Sequence, residues 1–373
     1  MAADNSLNRP DASPYSNFAT EDLEEIKQGY AQATTDNVHL LVYIDIQQAG
    51  IPARLVELKK SPDGNVVEHV VRTYTDRRNS VGVDETAEVF SDVFRSPAYQ
   101  AHHYGLIYCS HGEGWMPYPA RSSSRWIGQD NGDGDHRMNI EDLVRSMEGL
   151  PRLDFILFDA CFMGAVEVAY DLRHCADYVI ASPTEIPGPG AKYDKLVPAL
   201  FSATSIAHIA AAYYEPYATM FDYGNRLSNA NWTAGVSVAV IRTADLENLA
   251  ATTARLLART TIAPSSSHLR RALFDYDKRI GNLERHIGYY DLANLMRQLL
   301  SPADYPVWEL AFTAARPYWQ TTSMNYSVYG GLFSTTGANG LSCYVPLGNA
   351  TTADNLYRLC HWYQAAGLSR LGW

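Results

Sequence analysis

The sequence predicts an α/β fold with a mostly parallel central sheet flanked by helices, followed by a more helical C-terminal region. Three observations carry that prediction. Short β-branched and aromatic runs, each long enough for one strand, recur through the first half of the chain. Helical patterns with apolar residues at three-to-four spacing lie between several of them, and strands joined through helices build parallel sheets covered on both faces. No fixed-period repeat or clean linker divides the 373 residues, so one elaborated core is as consistent with the chain as two domains.

In order, residues 1–37 read as a polar arm, "MAADNSLNRPDASPYSN", and a short helix, "TEDLEEIKQGYAQA", capped by Thr20 with Glu21 and Asp22 in its first turn. Residues 38–190 carry the strand runs "NVHLLVYIDIQ", "NVVEHVVRTYT", "HYGLIYCSH", "LDFILFDAC" and "ADYVIASP". Helical patterns such as "VDETAEVFSDVFRSPAYQAH", "NIEDLVRSMEGL" and "GAVEVAYDLRHC" separate them. Residues 191–373 add the strand "WTAGVSVAVIRT", amphipathic helices such as "ADLENLAATTARLLART" and "GYYDLANLMRQLL", and a late strand, "GLSCYVP".

Composition narrows the function. Hydrophobic residues at 46% and aromatics at 12% describe an ordinary folded protein. A net charge of -11 without a Lys/Arg block argues against nucleic-acid binding and permits a cationic substrate. Five widely spaced cysteines with no CxxC fit neither a disulfide framework nor a zinc ribbon, and their odd number leaves at least one thiol free. No run reaches the ~18 apolar residues of a membrane span, and no apolar signal core follows Met1.

Two strand runs end in reactive residues. "GLIYCSHGEGWM" stops at Ser110-His111-Gly112, and "LDFILFDACFMG" stops at Cys161. In parallel α/β sheets ligands bind beyond the carboxyl ends of the strands. A thiol attacks as its thiolate, and a histidine in the same crevice takes the thiol proton and returns it to the leaving group. Gly112 lets a substrate backbone approach, and its N–H together with that of Cys161 would form an oxyanion hole. Asp159 lies two residues before Cys161 and, on an extended strand, faces the same crevice, where it would pair with an Arg or Lys side chain of a substrate. The plainer alternatives are an inert core cysteine and a hydrogen-bonded turn histidine. Their pairing at equivalent strand ends, each followed by a nearby glycine, weighs against both. Cys109 reads as packed and unreactive, and His102 and His103 do not match a zinc spacing.

"GLIYCSHGEGW" and "LDFILFDACFMGAVEVAYDLRHCADYVIASPTEIPGPGAKYD" resemble the two signature blocks of the clostripain family of cysteine peptidases, relatives of caspases, legumains and gingipains. The resemblance implies a caspase-like three-layer sandwich, with His111 as general base and acid and Cys161 as nucleophile. It implies Asp159, with Thr184 and Glu185, as the pocket that selects Arg or Lys before the scissile bond. The prolines of "SPTEIPGPGAKYD" depart from the family pattern and put that pocket's shape in question. The implied partners are peptides or proteins with a basic residue at the cleavage point, acted on by a monomer, secreted or in a bacterial cell envelope. A caspase-fold module that binds peptide without cleaving it is the alternative.

Family members are often zymogens cut between the two blocks, and "PYPARSSSRWIGQDNGDGDHRMN" is an expected exposed loop there, with Arg125 the preferred self-cleavage point and Arg121 the second. An ordinary exposed loop with incidental arginines is the competing reading. No cofactor is required. Asn131, Asp133, Asp135 and Asp142 resemble the oxygen-ligand order of a calcium loop, although His136 stands where that loop needs glycine, so Ca2+ is the one ligand the sequence leaves open.

Overall fold

The structure is a computed structural model that describes residues 1–8, 17–33, 37–46, 50–75, 78–116, 126–222, 235–260, 264–279, 286–348 and 351–373. Strands β1 (Ala2–Ala3), β2 (Leu40–Ile46), β3 (Arg54–Lys60) and β4 (Val66–Thr73) form a four-stranded sheet in that order. β1 runs parallel to β2, and the other pairs are antiparallel. Two runs expected in the parallel sheet, β2 and β4, therefore belong to a separate meander. Its middle strand, "RLVELKK", carries too many charges to stand out from sequence alone.

The second sheet has five strands. β5 (Gly105–Cys109) is followed by a hairpin of β6 (Ile127–Asp130) and β7 (His136–Met138), which lies outside that sheet. Then come β8 (Leu153–Asp159), β9 (Ala176–Ala181), β10 (Ser237–Arg242), β11 (Tyr290–Asp291) and β12 (Tyr318–Thr321). The sheet order is β12-β10-β9-β8-β5, parallel from β5 to β9 and antiparallel at β10 and β12. The predicted parallel sheet is thus present at the centre that carries His111 and Cys161. β11 pairs with the short strand Ser342–Cys343 elsewhere.

Alternation along the strands splits the core into two layers. Ile156, Phe158, Val179 and Ile241 face one side, where they meet the helices Leu246–Leu257, Leu292–Leu299 and Tyr305–Ala315 of the C-terminal half. Leu157, Ile180, Val238 and Val240 face the other, against the helices Phe18–Gln32, Tyr193–Ser202 and Ile206–Asp222 and against β2 and β3. Helices on both faces explain why these strands read as continuous apolar runs. Cys161 borders both layers, as expected of a residue just beyond the carboxyl end of an interior strand.

The N-terminal arm differs from the solvated arm expected of its polarity. Ala3 is buried in the second layer, and the Asn5 and Asn8 side chains are buried too. Asn8 accepts hydrogen bonds from the Thr20 N–H and hydroxyl, so Thr20 lies within the first turn of the helix that Asn17 precedes, and does not cap it. Among the described residues no helix is long and apolar enough to cross a membrane.

Candidate active site

The pairing of β5 with β8 sets Cys109 opposite Asp159, and the Ser110 N–H extends it by donating to the Asp159 carbonyl at 3.4 Å. The next residue, His111, turns away from the sheet. Its carbonyl accepts from the Gly128 N–H at 2.9 Å, and the Glu113 N–H donates to the Trp126 carbonyl at 2.7 Å, so the histidine loop is held against β6. Gly112 lies directly on the cysteine turn. A Cβ there would stand 2.7 Å from the Cys161 carbonyl oxygen and 2.9 Å from the Ala160 Cβ, closer than any side chain tolerates. The two strand ends are therefore brought together, with glycine required at the point of contact.

After β8 the chain turns sharply. Phe162 has a left-handed φ of 60°, a conformation that costs a bulky residue about 1–2 kcal/mol and is held here by its surroundings. Its N–H donates to the Thr184 carbonyl at 2.9 Å, and its ring stacks on Tyr289 at 4.8 Å. The Ile186 N–H donates to the Cys161 sulfur at 3.3 Å. Burial, followed by the charges of Glu185 and Glu113, pushes the Cys161 thiol up to about 12. Poor solvation of the cation, aided by Arg137, brings His111 down to about 4, although the residue as a whole is only partly buried. At neutral pH both groups are uncharged. They share no hydrogen bond; His111 Nε2 instead lies 2.8 Å from the Ser6 hydroxyl.

The remaining expected site residues fall at different depths. Asp159 is 2% exposed, and its carboxylate accepts from the Tyr193 and Tyr213 hydroxyls at 2.8 and 2.7 Å and from the Ala191 N–H at 3.0 Å. Burial raises its pKa, and these donors oppose the rise. Thr184 is buried, hydrogen-bonded to Ser182 and Asn325 at 3.0 Å each. Glu185 keeps part of its surface while accepting from the Ser327 hydroxyl at 2.6 Å and the Val328 N–H at 2.9 Å. Of the acidic groups acting on Cys161, Glu185 comes first. Arg121 and Arg125 lie outside the described residues.

Of the loop residues weighed for calcium, Asp133 pairs with His136, Asp135 pairs with Arg137, and Asp142 takes part in the capping box of the helix Ile140–Ser146. Among the described residues no three His, Cys, Asp or Glu side chains converge as a metal site. Cys109 is buried.

Sequence reasoning missed an ionic cluster behind the site. Arg279, 3% exposed, grips both Glu113 oxygens at 3.0 and 2.8 Å and Asp277 at 2.6 Å, and its guanidinium lies 5.1 Å over the Phe162 ring. The Tyr289 hydroxyl donates to the Glu113 carbonyl. The cluster ties the residue two after His111 to the residue after Cys161. Its sequence signals were Glu113 inside "SHGEGW" and the alternating Asp277 and Arg279 of "DYDKRI", neither of which reveals a partner more than 160 residues away.

Solved structures share this fold. Over 99% of this chain and 97% of the other, it is similar to a secreted C11 cysteine protease from Bacteroides thetaiotaomicron solved with an irreversible peptide inhibitor, at a TM-score of 0.86 and 40% identity. An inactive zymogen C11 protease from Parabacteroides distasonis is similar over 98% of this chain and 95% of its own, with a TM-score of 0.79 and 28% identity. These likenesses define the class as a cysteine protease with a caspase-like α/β fold. The family model described as Clostripain family matches residues 1–365, and the chain belongs to that family. Clostripain of Hathewaya histolytica is 29% identical over 203 residues, which are 47% of this chain and 38% of that protein's length.

Proposed function

We propose that the protein is an endopeptidase that cleaves peptides and proteins after Arg or Lys, with Cys161 as nucleophile and His111 as general base and acid. The observation that carries this reading is the seating of Gly112 on the Cys161 carbonyl, which holds the loop bearing the imidazole against the turn bearing the thiol. In the reaction, the Cys161 proton passes to His111 as sulfur attacks the scissile carbonyl carbon. The Gly112 and Cys161 N–H groups, which donate to no backbone acceptor among the described residues, receive the oxyanion. His111 then protonates the departing amine, leaving a thioester. Water attacks that thioester, giving one proton to His111, and the acid leaves as the thiol regains its proton.

Two neutral partners suit this sequence better than a resting thiolate, because the proton moves only as the substrate is attacked. The missing hydrogen bond between them is in keeping with sites that tighten on binding substrate. For the basic side chain before the scissile bond, Glu185 offers a partly exposed carboxylate near the sulfur. Asp159 supplies negative charge from behind Tyr193 and Tyr213, and Thr184 braces the loop. The net charge of -11 permits cationic substrates.

Self-cleavage after Arg125 and secretion complete the proposal. The zymogen state of one relative and the secreted character of the other support them. A non-catalytic peptide-binding module has no chemical need for both His111 and Cys161. The test incubates wild type and Cys161→Ala with a panel of Arg, Lys and neutral fluorogenic peptides, followed by intact mass and N-terminal sequencing. Hydrolysis of the basic peptides and a new terminus at Trp126, both confined to wild type, are expected. Tight binding of an Arg peptide with no product from either protein would favour the module.

A further inference from the structure

We infer that Ser6 is a positioning residue for His111, so that the N-terminal segment is part of the catalytic apparatus. The inference rests on the reading of His111 as the base. The Ser6 hydroxyl lies 2.8 Å from His111 Nε2. No other hydrogen bond to the His111 ring occurs among the described residues. The ring otherwise meets Trp126 edge-on at 6.3 Å, and Trp126 is in turn covered by the Arg137 guanidinium at 4.4 Å.

Ser6 is held there by a built-in segment. Ala2 and Ala3 pair with Asp45 and Ile46, and the Asp4 carbonyl accepts from the Asn131 N–H at 2.7 Å. The buried Asn5 side chain donates to the Gln129 carbonyl at 2.8 Å and accepts from the Leu7 N–H at 2.9 Å. The Phe18 N–H closes the segment onto the Leu7 carbonyl at 2.9 Å. Strand, buried amide and turn thus fix the residue between them over the histidine.

The chemistry of imidazole gives this contact a role. In neutral histidine one ring nitrogen carries the proton and the other the lone pair; the Ser6 hydroxyl could accept from an N–H or donate to a lone pair, and the arrangement that leaves a base facing the thiol is the one in which Nε2–H donates. An Nε2–H donated to Ser6 Oγ leaves Nδ1 as the lone pair that can take the thiol proton. It also fixes the ring's rotation. A cysteine peptidase with a neutral base depends on both, since no ion pair holds the two side chains together beforehand.

The test uses the full chain with Ser6→Ala and Ser6→Thr, and His111→Ala as reference. Ser6→Ala is expected to lower kcat by roughly tenfold, the loss of one orienting hydrogen bond, with KM within about twofold. Ser6→Thr, which keeps the hydroxyl, restores most of the loss. Long-range proton–nitrogen NMR of histidine-labelled protein on a Cys161→Ala background is expected to show His111 as the Nε2–H tautomer, and a tautomer mixture once Ser6 is alanine. Wild-type kcat and an unchanged tautomer in Ser6→Ala, with His111→Ala inactive, overturn the inference and leave the catalytic reading standing. Full activity in His111→Ala overturns the catalytic reading itself.

Discussion

Replacing Gly112 with alanine probes the contact on which the two halves of the site meet. The added Cβ falls 2.7 Å from the Cys161 carbonyl oxygen, 2.9 Å from the Ala160 Cβ and 3.2 Å from the Met163 sulfur. Ordinary contact is about 3.5–4.0 Å, so the histidine loop must lift from the cysteine turn by roughly 0.5–1 Å. The two nearest cannot yield cheaply: one is backbone, the other a buried Cβ. Overpacking of this kind costs about 1–3 kcal/mol, which lowers Tm by about 1–4 °C in a chain of this length. A 1 Å misplacement at a reacting centre costs on the order of 100-fold in rate. Steady-state hydrolysis of an Arg peptide, with differential scanning calorimetry on the same samples, should show kcat/KM falling about 10- to 100-fold beside a modest drop in Tm. An alanine variant with wild-type kcat/KM and wild-type Tm would refute the seating of the histidine loop on Cys161.

Other perturbations reach different parts of the site. With its thiol pushed up to about 12, Cys161 should react slowly with iodoacetamide at pH 7, and the rate should climb about tenfold per pH unit from pH 8 to 10; a plateau already reached below pH 7 contradicts a neutral resting thiol. His111, neutral when folded with a pKa of about 4 against an ordinary value of about 6.5, contributes stability above pH 6.5 that is lost as pH falls toward 4. Urea midpoints measured at pH 7 and pH 4.5 should therefore fall less in His111→Gln than in wild type. Arg279→Met strands Glu113 and Asp277 without their shared cation and should cost about 3–5 kcal/mol in urea unfolding, whereas a change under about 1 kcal/mol would mean the cluster is not buried in solution. Asp159→Asn replaces an acceptor for three donors with a group that must turn a donor toward one of them, at a cost of about 1–3 kcal/mol, and should reduce the preference for Arg over neutral peptides. An unaltered preference would assign selection to Glu185 alone.

Much of this was legible in the sequence for physical reasons that also mark its limits. The runs ending at His111 and Cys161 stand out because strands covered on both faces are apolar throughout, so a polar residue at the end marks the sheet's edge. Alternation reaches its limit at Asp159. Period-two reasoning holds only while the strand lasts; β8 ends at that residue, and the left-handed Phe162 redirects the chain beyond it. Asp159 consequently lies among Tyr193, Tyr213 and Ala191 in the layer with β2 and β3, whereas Cys161 borders both layers. The N-terminal strand and the Arg279 cluster were hidden because each depends on partners far away in sequence. Polarity in "MAADNSLN" reads as solvation, yet Asn5 and Asn8 are polar because they bond backbone and neighbouring groups inside the fold.

At the heart of the proposed activity, Cys161, assisted by His111, attacks the carbonyl that follows a basic side chain. Treating the protein with a peptidyl-arginine chloromethyl ketone and locating the adduct by tandem mass spectrometry puts that step to its sharpest trial. A single adduct on Cys161, lost in Cys161→Ala and greatly slowed in His111→Ala, is expected. Modification of Cys109, Cys175, Cys343 or Cys360 with Cys161 untouched, or no adduct at all alongside intact basic peptides, would contradict it.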